Sequence, residues 1–240
     1  MQQYFSDTKL APGAVYEMTP QQAHHAGNVV HLQGKIIRLV HNGEAYFARC
    51  EGNGKKMTAL VLEKDPVKRE LDAELVLLQA LVRREKFEWI LQKATELGVS
   101  RIIPFESSRC VVHNRKEKAE RQKERWMQIV TEAAEQSKRE KIPVIDDVLR
   151  FEDICRFEAE EKYLAYENAF GESPLLGSVY TGESAAFVIG PEGGFSEEEV
   201  QALVSGGYRT VTLGARILRA ETAALAALAV MADTAERKQR

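Results

Sequence analysis

The sequence predicts an α/β protein in which a domain built on a parallel sheet follows a small domain of β-strands. In the first part of the chain, the runs Gly34–Val40 and Ala45–Cys50 are rich in β-branched and aromatic residues, and turn signals follow each run. From residue 74 onwards, apolar runs alternate with helical patterns, which is typical of a parallel sheet with helices on both faces. Residues 63–70 are charged and contain a proline, as linkers often are. We therefore expect domains at residues 1–68 and 69–240.

The elements of the second part follow from periodicity and from capping signals. Residues 85–97 place apolar side chains on one helical face, and residues 116–139 contain a second, longer helix. Ser196 and Glu199 form the capping box of a third helix, and an alanine-rich helix begins at Glu221. The predicted strands are the apolar runs 74–81, 99–105, 163–166, 185–189 and 210–213.

Composition limits the classes of function. Of the 240 residues, 44% are hydrophobic and 29% are charged, which is ordinary for a globular protein with a sizeable core. The N-terminus has no signal-peptide pattern, and the most apolar stretch, Ala223–Ala232, is far shorter than the roughly 20 residues of a membrane span. The net charge of -3 argues mildly against a nucleic-acid partner, but the basic cluster from Arg109 to Arg125 permits one.

Cysteine and histidine spacing predicts neither a metal site nor a redox pair. Cys50, Cys110 and Cys155 lie far apart and form no C-x-x-C pair, a pattern that suits a reducing cytoplasm. The histidines lack convincing ligand spacing. We therefore expect a cytoplasmic protein with no metal and no membrane partner.

Two glycine loops each follow a predicted strand directly. They are Gly190–Phe195, with the sequence GPEGGF, and Leu213–Arg219, with the sequence LGARILR. Ligands of open α/β sheets bind at the carboxyl ends of the strands, and glycine lets the backbone approach a ligand closely. Neither loop carries a dinucleotide or P-loop motif, so a ligand made of adenine, ribose and an amino-acid tail fits better than a phosphate. A plain tight turn is the alternative for either loop taken alone.

Three long segments then make the pattern specific: WILQKATELGV (Trp89–Val99), IGPEGGFSEEE (Ile189–Glu199) and LGARILRAETAA (Leu213–Ala224). They resemble the RsmE family, the 16S rRNA uracil-N3 methyltransferases of the SPOUT superfamily. The resemblance implies a SPOUT fold with a C-terminal trefoil knot and a parallel sheet, plus a small N-terminal PUA-like β-barrel domain. It further implies S-adenosyl-L-methionine as the cofactor, 16S ribosomal RNA or the small ribosomal subunit as the partner, and a homodimer.

The same resemblance implies site residues. The expected cofactor-binding residues are Tyr166, Glu167, Asn168, Ile189, Gly190, Glu192, Gly193, Leu213, Gly214, Ile217, Leu218 and Arg219. The expected RNA-binding residues are Arg38, Arg109, Arg115 and Arg216. Arg219 would stabilise negative charge on the uracil oxygens, and Glu221 would accept the N3 proton or orient Arg219. The alternatives are an Arg219–Glu221 ion pair of purely structural role, or Glu221 as a capping residue. For Glu192 we expect an outward side chain, with backbone groups doing the binding.

The chain also departs from the family pattern. Ala215 stands where a proline is usual, Ala220 where a threonine is usual, and His31 where an arginine is usual. Two other functions stay open on the sequence alone. One is a SPOUT methyltransferase acting on a ribose 2′-hydroxyl, and the other is a non-catalytic RNA-binding or ribosome-assembly protein.

Overall fold

The structure, a computed structural model, divides into two compact units. The first contains Met1–Glu70 together with Ala134–Lys141, and the second contains Leu71–Ala133 and Ile142–Arg240. The predicted boundary after residue 68 thus lies two residues before the observed one, but the prediction missed the return of 134–141 to the first unit. The structure describes residues 1–53, 56–113, 117, 119–166 and 171–240.

The first unit is built on a sheet in the strand order β1-β3-β4-β5-β2. The strands β3, β4 and β5 pair antiparallel in succession, and β1 pairs parallel with β3. Asn42 and Gly43, with φ angles of 47° and 81°, form the predicted turn between β3 and β4. The strands are β1 (Gln3–Phe5), β2 (Val15–Glu17), β3 (Ile36–His41), β4 (Glu44–Asn53) and β5 (Lys56–Lys64).

A helical segment that the sequence analysis did not predict connects β2 and β3. Helix α1 (Pro20–His24) begins at a capping box formed by Thr19 and Gln22. A π-helical turn, His25–Val29, follows it directly. Tyr4 of β1 is hydrogen-bonded through its hydroxyl to Nδ1 of His25 at 2.8 Å, which fixes this segment against the sheet.

Arg38 of β3 lies at the centre of a buried ionic network in the first unit. The side chain is 0% exposed; its Nε donates to Asp65 at 2.8 Å, and its Nη1 donates to Gln3 Oε1 at 2.6 Å. A third acceptor is the carboxylate of Glu140. A side chain without exposed surface cannot contact RNA, so the prediction that Arg38 binds RNA is wrong.

A second buried pair explains why residues 134–141 belong to the first unit. Arg139 donates to Glu70 at 2.6 Å, and the carbonyl of Arg139 accepts a hydrogen bond from Gln3 Nε2 at 2.7 Å. Glu70 also accepts from the backbone N–H of Glu140 at 2.8 Å. Glu70, the last residue of the predicted linker, is therefore a buried anchor of the first unit. Its charge is paired with Arg139, as buried charges must be.

The second unit is built on a sheet whose described strands all pair in parallel, as predicted. The strand order is β12-β10-β11-β6-β7-β8, and β9 also pairs with β7. Every residue of β6 and β11 is buried, so both faces of the sheet are covered. The strands are β6 (Leu75–Ala80), β7 (Arg101–Glu106), β8 (Val144–Ile145), β9 (Leu149–Arg150), β10 (Glu161–Ala165), β11 (Ala185–Ile189) and β12 (Arg209–Val211).

The helices of the second unit largely match the predicted patterns. They are α2 (Arg84–Glu96), α3 (Ala119–Ser137, whose last turn belongs to the first unit), α4 (Phe151–Cys155), α5 (Leu176–Val179), α6 (Glu197–Ser205) and α7 (Ala220–Gln239). The predicted capping box opens α6, since Glu199 N–H donates to Ser196 Oγ at 3.2 Å and Ser196 N–H donates to Glu199 Oε2 at 2.9 Å. Helix α7 packs along α2 and over β6 and β11. Within the described ranges, none of the helices combines the length and the apolar character that a membrane-spanning helix needs.

Candidate active site

A cleft lies at the carboxyl ends of three neighbouring strands. Strand β10 lies between β11 and β12 and is parallel to both, so the loops that follow β11 and β12 leave the sheet at the same edge. The cleft encloses about 150 Å³, and a second cavity of about 60 Å³ shares three wall residues with it. The cleft is lined by Ala165, Ile189, Gly190, Pro191, Glu192, Gly194, Phe195, Ile217, Leu218, Arg219, Ala220 and Ala223. The second cavity is lined by Ala165, Tyr166, Thr212, Leu213, Gly214, Arg216, Leu218 and Ala223.

The first loop, Gly190–Phe195, is held by a turn and by an aromatic anchor. The N–H of Gly194 donates to the carbonyl of Pro191 at 2.9 Å. Phe195 is only 4% exposed, and its ring stacks on Phe105 with 6.4 Å between the ring centroids. This ring lies so close to Gly190 that a Cβ atom there would contact it at 3.0 Å.

The second loop, Leu213–Arg219, is fixed at its start by a threonine. Thr212 Oγ1 accepts from the N–H of Gly214 and donates to the carbonyl of the same residue, both at 3.2 Å. Gly214 adopts a φ of 114°, which side-chain-bearing residues rarely adopt. Further along this loop, Ile217 is 85% exposed at the lip of the cleft.

Arg219 and Glu221 lie at the start of α7 but do not pair with each other. Arg219 is the N-cap residue of α7, and its exposed side chain lines the cleft. None of the described ion pairs involves its guanidinium. The carboxylate of Glu221 instead lies 3.5 Å from the ammonium of Lys86 on α2. The structural ion pair considered for Arg219 and Glu221 is therefore not formed, and the Arg219 cation faces the cleft.

Glu192 is held by the same lysine. Its Oε1 lies 3.2 Å from Lys86 Nζ, and its side chain is only 24% exposed. Burial of the carboxyl raises its pKa, but its own backbone N–H and the Lys86 ammonium outweigh this, so the pKa of Glu192 lies below its ordinary value. The expectation of an outward Glu192 side chain is corrected in this respect, because the carboxylate is anchored within the site.

Comparison with known proteins decides the family. A family model described as an RNA methyltransferase domain matches residues 69–232. The ribosomal RNA small subunit methyltransferase E of Bacillus subtilis is 35% identical to this chain over 98% of both chains. The chain belongs to the ribosomal RNA small subunit methyltransferase E family.

Other members of this methyltransferase E family agree with the assignment. The member from Mesomycoplasma hyopneumoniae is 33% identical over 82% of this chain and 85% of its own. A crystal structure of the Neisseria gonorrhoeae member bound to S-adenosyl methionine superposes with a TM-score of 0.88 at 30% identity, covering 96% of both chains. The present fold is therefore the fold of a methyltransferase family throughout its length.

Most of the site residues that the methyltransferase E resemblance implied come together in the structure. The two cavities bring together Tyr166, Ile189, Gly190, Glu192, Leu213, Gly214, Ile217, Leu218 and Arg219. Gly193 lies beside the cleft, and its carbonyl accepts from Arg109 Nη1 at 3.1 Å. Arg109 and Arg216 are both exposed, and Arg216 lines the second cavity. Glu167, Asn168 and Arg115 lie outside the described residues.

Sequence reasoning missed three residues of this methyltransferase E site. The sequence analysis treated Phe195 only as the end of a glycine loop, although its buried ring anchors that loop by stacking on Phe105. Ala223 lines both cavities from the first turns of α7. Lys86 had no distinguishing signal, because a single lysine on an amphipathic helix has the same pattern as solvated surface.

Proposed function

We propose that the chain transfers a methyl group from S-adenosyl-L-methionine to N3 of a uridine in 16S ribosomal RNA. The observation that carries the proposal is the position of Arg219, a cation without a described ion-pair partner at a cleft walled by two glycine loops. The family supports ribosomal RNA of the small subunit as the substrate, and the Neisseria gonorrhoeae relative supports the cofactor.

The residues of the cleft fit this cofactor. Ile189, Leu218 and Ala223 offer apolar side chains against which an adenine ring can pack. The two glycine loops bring backbone N–H and C=O groups to the same place, where they can read the polar edge of the ring and the ribose. The missing Cβ at Gly190 lets the Phe195 ring pack close behind this wall. When bound, the cofactor supplies an electrophilic methyl group on a positively charged sulfur.

The protein must accept the N3 proton of the uracil and stabilise the negative charge that develops on the base. Uracil N3 becomes nucleophilic as its proton departs and negative charge spreads to O2 and O4. The Arg219 guanidinium would stabilise that charge, and the Glu221 carboxylate, which pairs with Lys86 and not with Arg219, would accept the proton. The target base must be unpaired or flipped out, because pairing hides N3.

The finer features of the fold belong to the same proposal. Three neighbouring parallel strands followed by the two cofactor loops support a C-terminal trefoil knot of the SPOUT type. The sheet of the first unit supports a PUA-like RNA-binding β-barrel domain. RNA contacts would come from Arg109, Arg115 and Arg216, and not from Arg38.

We also propose a cytoplasmic homodimer. The exposed Ile217 at the lip of the cleft supports a second copy covering this edge, because a large apolar side chain gains by leaving water. Light scattering on the purified protein tests the oligomeric state directly. A monomer at the concentrations used for activity would contradict this part of the proposal.

Nucleoside analysis after reaction tests the activity. The purified protein is incubated with isotopically labelled S-adenosylmethionine and small ribosomal subunits, and the RNA is digested and analysed by mass spectrometry. Labelled 3-methyluridine is the expected product. A labelled 2′-O-methyl nucleoside would support the ribose methyltransferase instead. No transfer, together with no calorimetric binding of the cofactor by folded protein, would support the non-catalytic RNA-binding protein.

A further inference from the structure

One ammonium group at the cleft is shared by two carboxylates from different elements. Lys86 Nζ lies 3.2 Å from Oε1 of Glu192 and 3.5 Å from Oε2 of Glu221. The three side chains are partly buried, with 29%, 24% and 14% of their surface exposed. We name these three residues the Lys86 clamp.

The clamp connects three elements that approach the cleft from different directions. Lys86 belongs to the first turn of α2, Glu192 to the loop that follows β11, and Glu221 to the first turn of α7. Helix α2 is a firm support, because it buries Phe87 and Ile90 on its inner face. Glu192 lines the cleft, and Glu221 follows Ala220, which also lines it, so the position of the lysine sets the distance between the first glycine loop and α7.

The clamp also decides what Arg219 can do. Oε2 of Glu221 is buried and forms no hydrogen bond with any residue that the structure describes, so the ammonium at 3.5 Å is its counter-charge. Arg219 lies two positions earlier in the chain and is an alternative cation for this carboxylate. As long as Lys86 neutralises Glu221, the guanidinium stays available to the cleft.

We infer that Lys86 is a positioning residue of the methyl-transfer site, which holds the first glycine loop against α7 and keeps Arg219 free for the substrate. The inference rests on the proposed function only for what the cleft binds. Without the lysine, Glu192 and Glu221 would repel each other across the cleft wall, because two close carboxylates lack a common counter-ion. Glu221 would then recruit Arg219.

Hydrogen–deuterium exchange of the cofactor-free protein tests the clamp without any activity. Lys86→Met keeps the length of the side chain and removes its charge, and Lys86→Arg restores a cation. Lys93→Met is the matched control, because Lys93 lies two turns further along α2, is 35% exposed, and pairs within its own helix with Glu96 at 2.8 Å. We expect exchange in Gly190–Phe195 and in the first turn of α7 to quicken severalfold in Lys86→Met alone. Unchanged exchange there, or an equal change throughout the chain, would overturn the inference.

Binding and turnover provide the second readout. In Lys86→Met we expect the affinity for the demethylated product of the cofactor to fall about three- to tenfold, as the loss of two partly buried ion pairs allows. Turnover at saturating cofactor and RNA should fall further, by roughly 100-fold, because Arg219 is misplaced. Lys86→Arg should recover most of both. Equal turnover in Lys86→Met and Lys93→Met would contradict the positioning role.

These two readouts separate the inference from the proposed function. If the wild-type protein binds no cofactor and transfers no methyl group, the proposed function is wrong. The exchange experiment would still report whether Lys86 holds the loop and α7 together. Conversely, an active wild-type enzyme with unchanged exchange and turnover in Lys86→Met would remove the positioning role of Lys86 alone.

Discussion

Phe195 lies so close to Gly190 that a Cβ atom on Gly190 would be 3.0 Å from Cε2 and 3.1 Å from Cδ2 of the ring. The ring cannot easily yield, because it is packed between Phe105 and Phe151 with centroid distances of 6.4 and 6.5 Å. The position of the Phe195 ring therefore depends on a glycine at position 190. The ring fixes the loop, and the missing side chain of Gly190 leaves room for the ring.

Gly190→Ala tests this relationship. We expect a loss of about 1–3 kcal/mol in the free energy of unfolding from overpacking, and at least roughly tenfold weaker binding of S-adenosylmethionine as the loop moves. Chemical denaturation and calorimetric titration measure the two effects. Gly177→Ala on α5 is the control, since its Cβ would meet only a side-chain methyl group of Val230, at 3.2 Å. Undiminished cofactor affinity in Gly190→Ala would show that the loop does not wall the binding site.

Arg219→Ala should separate chemistry from cofactor binding. Because the guanidinium faces the cleft without a described counter-ion, we expect turnover at saturating substrates to fall roughly 100-fold, with cofactor affinity changed much less. Single-turnover kinetics and calorimetry give the two values. Arg216→Ala is the comparison, and there we expect weaker RNA binding with turnover at saturating RNA preserved. Normal turnover in Arg219→Ala would remove the residue from the mechanism.

The features that could be predicted from the sequence are those that depend on residues close together in the chain. The two glycine loops could be placed at one edge of the sheet because each follows a buried apolar run, and parallel strands end together. The capping box at Ser196 and the turn at Asn42 were equally readable, since both depend on residues next to each other in the chain. Local rules therefore predicted most of the elements and the main walls of the cleft.

Long-range packing explains what the sequence could not reveal. In the sequence, Arg38 cannot be told from an arginine at the protein surface. It is buried because it pairs with Asp65 and Glu140, which are far away in the chain. The return of 134–141 to the first unit likewise depends on Glu70 and Gln3, which are far away in the chain. Lys86 resembles any solvated lysine until the fold brings Glu192 and Glu221 to it.

The buried network around Arg38 predicts an acid-dependent stability. Burial of the Asp65 carboxyl raises its pKa, but the Val67 N–H and the guanidinium groups of Arg38 and Arg69 outweigh this, so the pKa lies below its ordinary 3.8. A carboxyl whose folded-state pKa is lowered stabilises the fold above its unfolded-state pKa, and loses that contribution as the pH falls through the folded-state value. The stabilisation should therefore be complete at neutral pH and disappear below about pH 3.8.

Asp65→Asn tests this pH dependence. We expect a loss of about 3–5 kcal/mol at pH 7, because Arg38 loses one of its two buried counter-charges. The difference in unfolding free energy between wild type and variant should shrink as the pH falls below 3.8. Denaturation curves from pH 3 to pH 7 measure it. Glu44→Gln is the control, since Glu44 pairs with Lys64 at the exposed surface, and its removal should matter little. A difference that stays constant with pH would contradict the ionic explanation.

The buried side-chain oxygen of Gln79, on β6, should not stabilise the fold, because it has no hydrogen-bond partner among the described residues. The side chain is fully buried, its Nε2 donates to the Ala80 carbonyl at 3.0 Å, and Oε1 has no partner among the residues the structure describes. A buried acceptor left unpaired costs about 1–3 kcal/mol, so Gln79→Met should leave the free energy of unfolding unchanged or raise it. Gln3→Met is the matched control, because both ends of the buried Gln3 amide are bonded, at 2.6 and 2.7 Å, and we expect a loss of about 2 kcal/mol or more. Urea denaturation compares the two. A loss in Gln79→Met as large as in Gln3→Met would mean that Oε1 is paired in solution, with an ordered water as the simplest partner.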